Sequence, residues 1–519
     1  YRQLKISRII LSVAFFLLIS FLFIDFSATL PTAWKSGTLY FQFIPSVFRF
    51  INLLSWMATG FIIVSLLTLL FGRVYCSFLC PLGTFQDILI YLREKFGKRV
   101  RRKYYRPLNW IRFPILILCI VLLLFPGNVL LLELLDPYSN FGRIISNLLR
   151  PVYYSGTNFI SYLLELQDNY SLKPVELKNI GWLSLGYSLV LLALVTWMSL
   201  KHGRLYCNTA CPVGTLLGRF AEVSLFRIRL EESLCNSCGI CSRNCKANCI
   251  DAKSKQVDFS RCVGCLNCLY VCPGGGVKFS YNRGLQENVP KDLEGSKERR
   301  AFVKKSALMA AGVAVLSRTV LAQEVRKALK PINREHPVTP PGSGDVARFN
   351  SYCTACTLCV SACPTQVLQP SILEYGLAGM MQPRMDYKTS FCNFECVICT
   401  EVCPTGALKP ISIEEKKLLQ LGKSYFVKEN CVVYTDGTAC GACSEHCPTK
   451  AVNMVPYDEK PGLTIPEVTN DYCVGCGACE YACPTDPKSI YVEGNVKHLT
   501  AKKPKEEEIE TQELEEFPF

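Results

Sequence analysis

Twenty-four of the thirty cysteines in this 519-residue chain fall into six short runs, and no other feature restricts the fold so tightly. The first two runs are Cys235, Cys238, Cys241, Cys245 and Cys262, Cys265, Cys268, Cys272, each spaced x2-x2-x3, the second closed by Pro273. Three thiolates on one tight loop hold a [4Fe–4S] cubane, and the fourth cysteine of such a run ligates the cubane of the other run. Cys235, Cys238, Cys241 and Cys272 are therefore expected to share one cluster, and Cys262, Cys265, Cys268 and Cys245 a second. Lys246 stands after Cys245, where a proline closes the other run. Zinc also takes four ligands, but this spacing with its closing proline is an iron–sulfur pattern. Disulfides, the default in small secreted domains, do not fit it.

Four more runs follow: Cys353, Cys356, Cys359, Cys363; Cys392, Cys396, Cys399, Cys403; Cys431, Cys440, Cys443, Cys447; and Cys473, Cys476, Cys479, Cys483. The second and third of these have stretched first gaps, x3 and x8, yet all four keep an x2-x3-Cys-Pro ending. The runs predict six [4Fe–4S] clusters in two α+β cluster domains, at residues 225–285 and 346–495. Cys249 and Cys119 fall outside the runs and read as buried small residues.

Half of the residues are hydrophobic and the mean hydropathy is +0.20, which calls for a membrane part. Ile6–Phe26, Ile51–Phe71, Ile111–Leu132 and Ile180–Leu200 are long enough to span a bilayer. Basic residues follow the second and fourth spans: Arg73 with the Lys98–Arg106 block, then Lys201 and Arg204. The positive-inside rule puts those segments and the N-terminus in the cytoplasm. Ser27–Phe50 and Glu133–Asn179 then lie outside, with Phe41, Phe43, Ile44 and Phe48 read as lying along the interface. The chain begins at Tyr1, so a preceding piece is expected. The net charge of +14 sits in loops between apolar segments rather than on a nucleic-acid-binding face.

An internal repeat marks residues 1–224. Gly72-Arg-Val-Tyr-Cys-Ser-Phe-Leu-Cys-Pro-Leu-Gly-Thr84 matches Gly203-Arg-Leu-Tyr-Cys-Asn-Thr-Ala-Cys-Pro-Val-Gly-Thr215 at eight of thirteen positions. Each copy follows the second helix of a helix pair, so the halves are expected to be parallel repeats. That arrangement can bring Cys76, Cys80, Cys207 and Cys211 together. Three readings of these cysteines stand at this stage: a shared metal centre, thiols that cap helix ends and pack, or a redox-active thiol pair.

Between the two cluster domains, residues 286–345 form a linker. Lys297–Ala322 within it has Arg299-Arg300, Lys304-Lys305 and a short apolar run. It looks like a twin-arginine export signal, and 306–322 is expected to stay uncleaved as a fifth membrane helix, although Val320-x-Ala322 has the form of a cleavage site. Pro331–Gly344 reads as a Pro/Gly-rich linker. Residues 496–519 form a charged tail with a Glu-rich end. The fold expected is thus a multi-domain membrane protein: an α-helical transmembrane bundle of two repeated helix pairs plus one extra helix, with two ferredoxin-like domains. Covalent haem is disfavoured, because no Cys-x-x-Cys-His occurs and the chain has only four histidines. Gly274-Gly-Gly276 lacks the spacing of a dinucleotide loop, and no catalytic motif is present.

Residues 1–285, with four spans, two Cys-x3-Cys-Pro motifs and a two-cluster domain, resemble the NapH-type membrane ferredoxins, relatives of NosR and CcoG/RdxA-type proteins. Residues 297–495 resemble the NapG-type ferredoxins, with a twin-arginine signal and four cysteine runs. The resemblance implies an electron-transfer subunit of the bacterial cytoplasmic membrane, one cluster domain inside and one in the periplasm. Its implied work is relaying electrons from the quinone pool or a cytoplasmic donor to a periplasmic reductase or cytochrome in anaerobic respiration. The alternative it carries is electron donation for metalloenzyme maturation, as in NosR or CcoG. Likeness to four-cluster ferredoxin subunits further implies nested pairing: Cys353, Cys356, Cys359 with Cys483; Cys473, Cys476, Cys479 with Cys363; Cys392, Cys396, Cys399 with Cys447; and Cys431, Cys440, Cys443 with Cys403.

Overall fold

A computed structural model describes residues 2–24, 31–53, 59–97, 102–124, 128–172, 174–175, 181–281 and 334–503. The twin-arginine-like stretch, the expected fifth helix, residues 98–101 of the Lys98–Arg106 block and the Glu-rich tail lie outside these residues.

Helices dominate the first part of the chain. α1 (Arg2–Ile24) is a single long helix, apolar and free of glycine and proline. α2 (Thr32–Tyr40) and α3 (Phe43–Leu53) follow, then α4 (Gly60–Phe71), α5 (Tyr75–Phe78) and α6 (Pro81–Phe96). α7 (Asn109–Leu123), α8 (Leu130–Leu135), α9 (Pro137–Ile144), a π-helical turn Ile145–Leu149 and α10 (Arg150–Glu165) come next. α11 (Trp182–His202), α12 (Leu205–Thr209) and α13 (Pro212–Glu222) complete the second repeat. Among the described residues α1 and α11 are long and apolar enough to cross a membrane; α4 and α7 are apolar but shorter. The equivalent helices α4 and α11 stop at Gly72 and Gly203, whose φ values of 82° and 69° favour a residue without Cβ. α6 and α13 start the same way as each other, with cysteine at the N-cap and proline in the first turn.

The loop segments expected to lie along a membrane interface are instead broken helices packed into the protein. Phe43 and Phe48 are buried, and Phe48 joins Val129, Leu132, Ile44 and Tyr352 in one apolar cluster. Burial against other helices removes the apolar faces that suggested an interfacial position. The break between α8 and α9 falls at Asp136, which caps α9 by accepting the Ser139 N–H at 2.8 Å.

The two-cluster segment is built on two antiparallel ladders. β1 (Phe226–Leu230) pairs with β4 (Val277–Tyr281), and β2 (Ile250–Asp251) with β3 (Gln256–Val257). Two short helices, α14 (Ile240–Arg243) and α15 (Asn267–Val271), carry the third cysteine of each run. Before each stands a left-handed residue, Gly239 or Leu266, which turns the loop back so that three thiols face one point.

The chain divides into two compact units, and the division cuts across the expected 346–495 domain. The first unit holds the described part of Tyr1–Asn333 together with Thr339–Met385 and Val397–Ile411. Within it, Ser146 of the π-helical turn bonds Thr357 at 3.0 Å and Ser361 at 2.9 Å, and Arg348 donates to Asn52 at 2.9 Å. β5 (Leu368–Pro370) pairs with β6 (Pro383–Met385). These polar contacts join run one to the helical part, which the sequence reading had kept separate. The second unit is Arg334–Val338, Asp386–Cys396 and Ser412–Phe519. In it β7 (Leu419–Phe426) pairs with β10 (Ile490–Thr500), and β8 (Val452–Pro456) with β9 (Thr464–Val468). Residues 334–344 are not a loose linker: Thr339 and Ser343 are fully buried, and Arg334 is ion-paired with the buried Glu480.

Candidate functional site

The two runs of the 235–272 segment line two separate cavities. Cys235, Cys238, Cys241 and Cys272 frame one; Cys245, Cys262, Cys265 and Cys268 frame the other. Cys249 also lines the second cavity, with its Sγ 3.5 Å from that of Cys245. The hydrogen bond between the two sulfurs pulls the Cys245 thiol down to about 6, despite full burial. Cys249 is therefore placed to tune its neighbour.

Among the later runs, Cys403 stands within electrostatic reach of Cys353, Cys356 and Cys359. In the second unit, Cys447 stands beside Cys473, Cys476 and Cys479. Cys483 and Cys440 stand beside Cys443, and Cys440 packs against Cys431. These neighbours set Cys403 beside run one, Cys447 beside run four and Cys483 beside run three, whereas the nested order put Cys483 with run one, Cys363 with run four and Cys403 with run three. The short helices Leu358–Ala362 and Ile398–Glu401 pack together, as do Ala442–Glu445 and Ala478–Ala482, in the manner of α14 and α15. Burial pushes the Cys356 thiol up to about 12 and that of Cys443 to about 11. Such thiols stay protonated until a metal centre takes them as thiolates.

The sequence expectations passed over four threonines that meet cysteine sulfurs. All four later runs end Cys-Pro-Thr, and the threonine hydroxyls of Thr365, Thr405, Thr449 and Thr485 lie 3.6, 3.7, 3.7 and 3.1 Å from the sulfurs of Cys363, Cys403, Cys447 and Cys483. A hydroxyl that donates to a cluster thiolate raises the reduction potential. The signal was in the sequence: the 235–272 runs end Cys-Lys-Ala and Cys-Pro-Gly instead.

The helical repeats assemble a further constellation, and every one of the eight identical positions has a part in it. Gly72 and Gly203 end the helices. Arg73 then donates to the carbonyl of Cys207 at 2.9 Å, and Arg204 donates to the carbonyl of Cys76, so each arginine grips the other repeat. Glycine is required where they pass: a Cβ on Gly214 would sit 2.7 Å from Arg73 and 2.3 Å from the Cys207 carbonyl, and one on Gly83 the same distances from Arg204 and the Cys76 carbonyl. The two prolines and Cys80 and Cys211 open α6 and α13. Thr84 and Thr215 close the first turn by donating to the Cys80 and Cys211 carbonyls. Tyr75 donates to Gln42 at the α2–α3 break, and Tyr206 to the Leu135 carbonyl at the α8–α9 break. Cys76, Cys80, Cys207 and Cys211 stand within electrostatic reach of one another, each 3–4% exposed.

These parts lie along α1. Near its start, Lys5 stands 4.7 Å over the Tyr270 ring, beside the 262–272 run. Near its end, Phe23 and the Cys356 carbonyl both close on Gly142. Lys5 and Phe23 are eighteen positions apart on the helix, about 27 Å at 1.5 Å per residue. A cluster-ligating run therefore stands at each end of α1. At the Lys5 end Asp87 of α6 is ion-paired with Arg204 at 2.8 Å, Lys246 at 3.0 Å and Arg8 at 3.3 Å.

With this geometry in view, the likeness to known proteins is informative. The chain matches a 4Fe-4S binding domain at residues 53–99 and 185–230, and 4Fe-4S dicluster domains at 352–408 and 438–486. The chain is similar to NapH- and YccM-type ferredoxin proteins. It is 28% identical over 221 residues to YccM of Escherichia coli, a protein named for electron transport, covering 42% of this chain and 52% of that one. It is 28% identical over 228 residues to the ferredoxin-type protein NapH of Haemophilus influenzae (42% and 66%). An uncharacterized protein of Methanocaldococcus jannaschii is 25% identical over 225 residues (42% and 69%). The chain thus spans between 52% and 69% of the length of these relatives. These matches give the chain multiple [4Fe–4S] clusters, and its likeness is to ferredoxin-type proteins. The dicluster matches group run one with run two, and runs three and four.

Proposed function

We propose that this protein is a membrane-bound polyferredoxin that relays electrons between the quinone pool or a cytoplasmic donor and a redox partner outside the cytoplasmic membrane, in anaerobic respiration. Six [4Fe–4S] clusters serve as one-electron carriers. Cys235, Cys238, Cys241 with Cys272 and Cys262, Cys265, Cys268 with Cys245 hold the cytoplasmic pair. Cys353, Cys356, Cys359 with Cys403; Cys473, Cys476, Cys479 with Cys447; and Cys431, Cys440, Cys443 with Cys483 hold three on the outer side. Cys363, Cys392, Cys396 and Cys399 are the remaining cysteines of runs one and two.

The observation that carries this reading is the cluster-ligating run at each end of α1, a helix of 23 apolar-rich residues. Basic residues collect at its Lys5 end, as the positive-inside rule requires of a cytoplasmic end. The quinone end of the relay is supported by an apolar cavity of about 660 Å3 lined by Phe48, Leu132, Phe220, Arg348 and Tyr352. Its size and its few polar groups suit a small organic ligand, and Tyr352 directly precedes the ligand Cys353. The partner is a reductase or cytochrome subunit on the outer side.

Protease added to intact spheroplasts tests the sidedness. Residues 353–483 should be cut while 235–272 stay whole. Equal cutting or equal protection of both would remove the two-sided relay.

A further inference from the structure

We infer that Cys76, Cys80, Cys207 and Cys211 hold one additional [4Fe–4S] cluster, shared between the two repeats and standing in the electron path along α1. The inference rests on the relay reading for its role, but the site stands on its own geometry. Each matched 4Fe-4S segment supplies only two of these cysteines, so neither repeat completes a cubane alone. The crossed arginines supply the missing half: Arg73 lies 3.7 Å from the Cys76 sulfur while it holds the Cys207 carbonyl, and Gln86 of the first repeat donates to the Cys207 sulfur at 3.4 Å.

Charge points the same way. Arg73 is fully buried, and its acceptors are neutral: Asn208 at 2.8 Å, the Ser260 carbonyl at 3.1 Å and the Cys207 carbonyl. Among the described residues no carboxylate pairs with it. Arg112, 1% exposed, also donates to Ser260, and Asp87 is already shared by three cations. A buried cation without a counter-charge is costly. Four neutral thiols supply none, whereas an oxidised cubane with four thiolates is doubly negative. Capping by thiol accounts for Cys211, which accepts the Gly214 N–H at 3.2 Å, but leaves Cys76 and Cys207 without a reason. A single bound ion does not fit either: no three His, Cys, Asp or Glu side chains among the described residues stand close enough to share one. The ferredoxin runs share that property, because a cubane holds its thiolates farther apart than one metal ion does.

Position gives the centre its role. Ser77, next to Cys76, donates to the carbonyl of Val263, next to Cys262. On the other side Tyr206, next to Cys207, accepts from Asn140 at 2.9 Å, and Gly142 two residues on touches Cys356. Tunnelling falls exponentially with distance, so an intermediate centre replaces the gap of about 27 Å along α1 with two shorter ones. One electron enters and one leaves; no bond is made or broken and no proton is needed.

The test is iron counting by native mass spectrometry on the anaerobically purified full chain, wild type against Cys80→Ser/Cys211→Ser. The variant should carry about four irons fewer, with the remaining clusters still reducible. An equal iron count in the two proteins overturns the assignment. If the variant cannot be purified, the wild type decides: about 28 irons support seven cubanes and about 24 leave only the ferredoxin runs. Neither count depends on sidedness, so failure of the relay reading is seen separately by protease.

Discussion

Replacing Asp87 by asparagine should unfasten the 235–272 segment from the helices. Asp87 is 9% exposed and draws Arg8 of α1, Arg204 after α11 and Lys246 of the cluster segment to one point. Burial alone would push its carboxyl up, but Arg204, Lys246 and Arg8 outweigh burial and hold it well below the usual carboxylate range. Asparagine keeps the size and an acceptor but leaves three cations unneutralised. Breaking a buried pair in this way costs about 3–5 kcal/mol, a factor of roughly 10² to 10³ or more in the folding equilibrium at about 1.4 kcal/mol per decade. The assay is denaturant unfolding in detergent, followed by loss of cluster absorption. The sign in pH follows from the depressed value: the contribution is complete above the unfolded carboxyl's value of about 3.9. It is lost only as pH falls through the lower folded value, so between roughly pH 5 and 8 the wild-type stability should show no step from this group. A loss below about 0.5 kcal/mol in the variant, the range of ordinary surface changes, would refute the reasoning. Adding Lys246→Met to the asparagine variant should recover part of the loss, because one stranded cation is removed.

Four further outcomes follow from the same geometry. Cys403→Ala should remove the cluster of Cys353, Cys356 and Cys359 while Cys483→Ala spares it; electron paramagnetic resonance of the reduced proteins separates this from nested pairing, in which the effects exchange. Thr485→Val removes a hydroxyl 3.1 Å from the Cys483 sulfur and should lower one cluster potential in a redox titration, whereas an unchanged set of potentials denies the hydrogen bond its effect. Gly142→Ala places a Cβ 2.5 Å from the Cys356 carbonyl and from Phe23. Overpacking of about 1–3 kcal/mol should then show as faster proteolysis of 353–363, and wild-type resistance would contradict the contact. Arg73→Gln removes a unit charge roughly 6 Å from the proposed shared centre, worth about 3 kcal/mol at an effective dielectric near 20. That is on the order of 100 mV for one electron, and the potential should fall, because reduction adds negative charge.

The cysteine spacing carried most of what could be read without coordinates. It grouped the cysteines that frame the two cavities of 235–272, because x2-x2-x3 leaves a loop one way to present three thiols. It could not say which of the four later runs pack together, because every run ends alike and the packing of the short helices is not written in the spacing. The repeat was legible as a match of letters, but its meaning was not. Arg73 and Arg204 read as positive-inside markers, whereas each crosses to the other repeat, a contact between residues 134 and 128 positions apart. Hydropathy located α1, α4, α7 and α11 and misplaced α3, because an apolar face looks the same whether lipid or Val129 and Leu132 cover it. The Pro/Gly-rich start of the outer part read as linker, since composition does not disclose that Arg334 finds Glu480.

Electron transfer through the sealed bilayer is the measurement that decides the account. The full chain, reconstituted in one orientation in liposomes, is given dithionite from the outer-domain side only, without a mediator. The relay predicts that the clusters of Cys235–Cys272 on the shielded side become reduced, and that Cys80→Ser/Cys211→Ser blocks this while the exposed clusters still reduce. Reduction confined to the exposed clusters in the wild-type protein would contradict it.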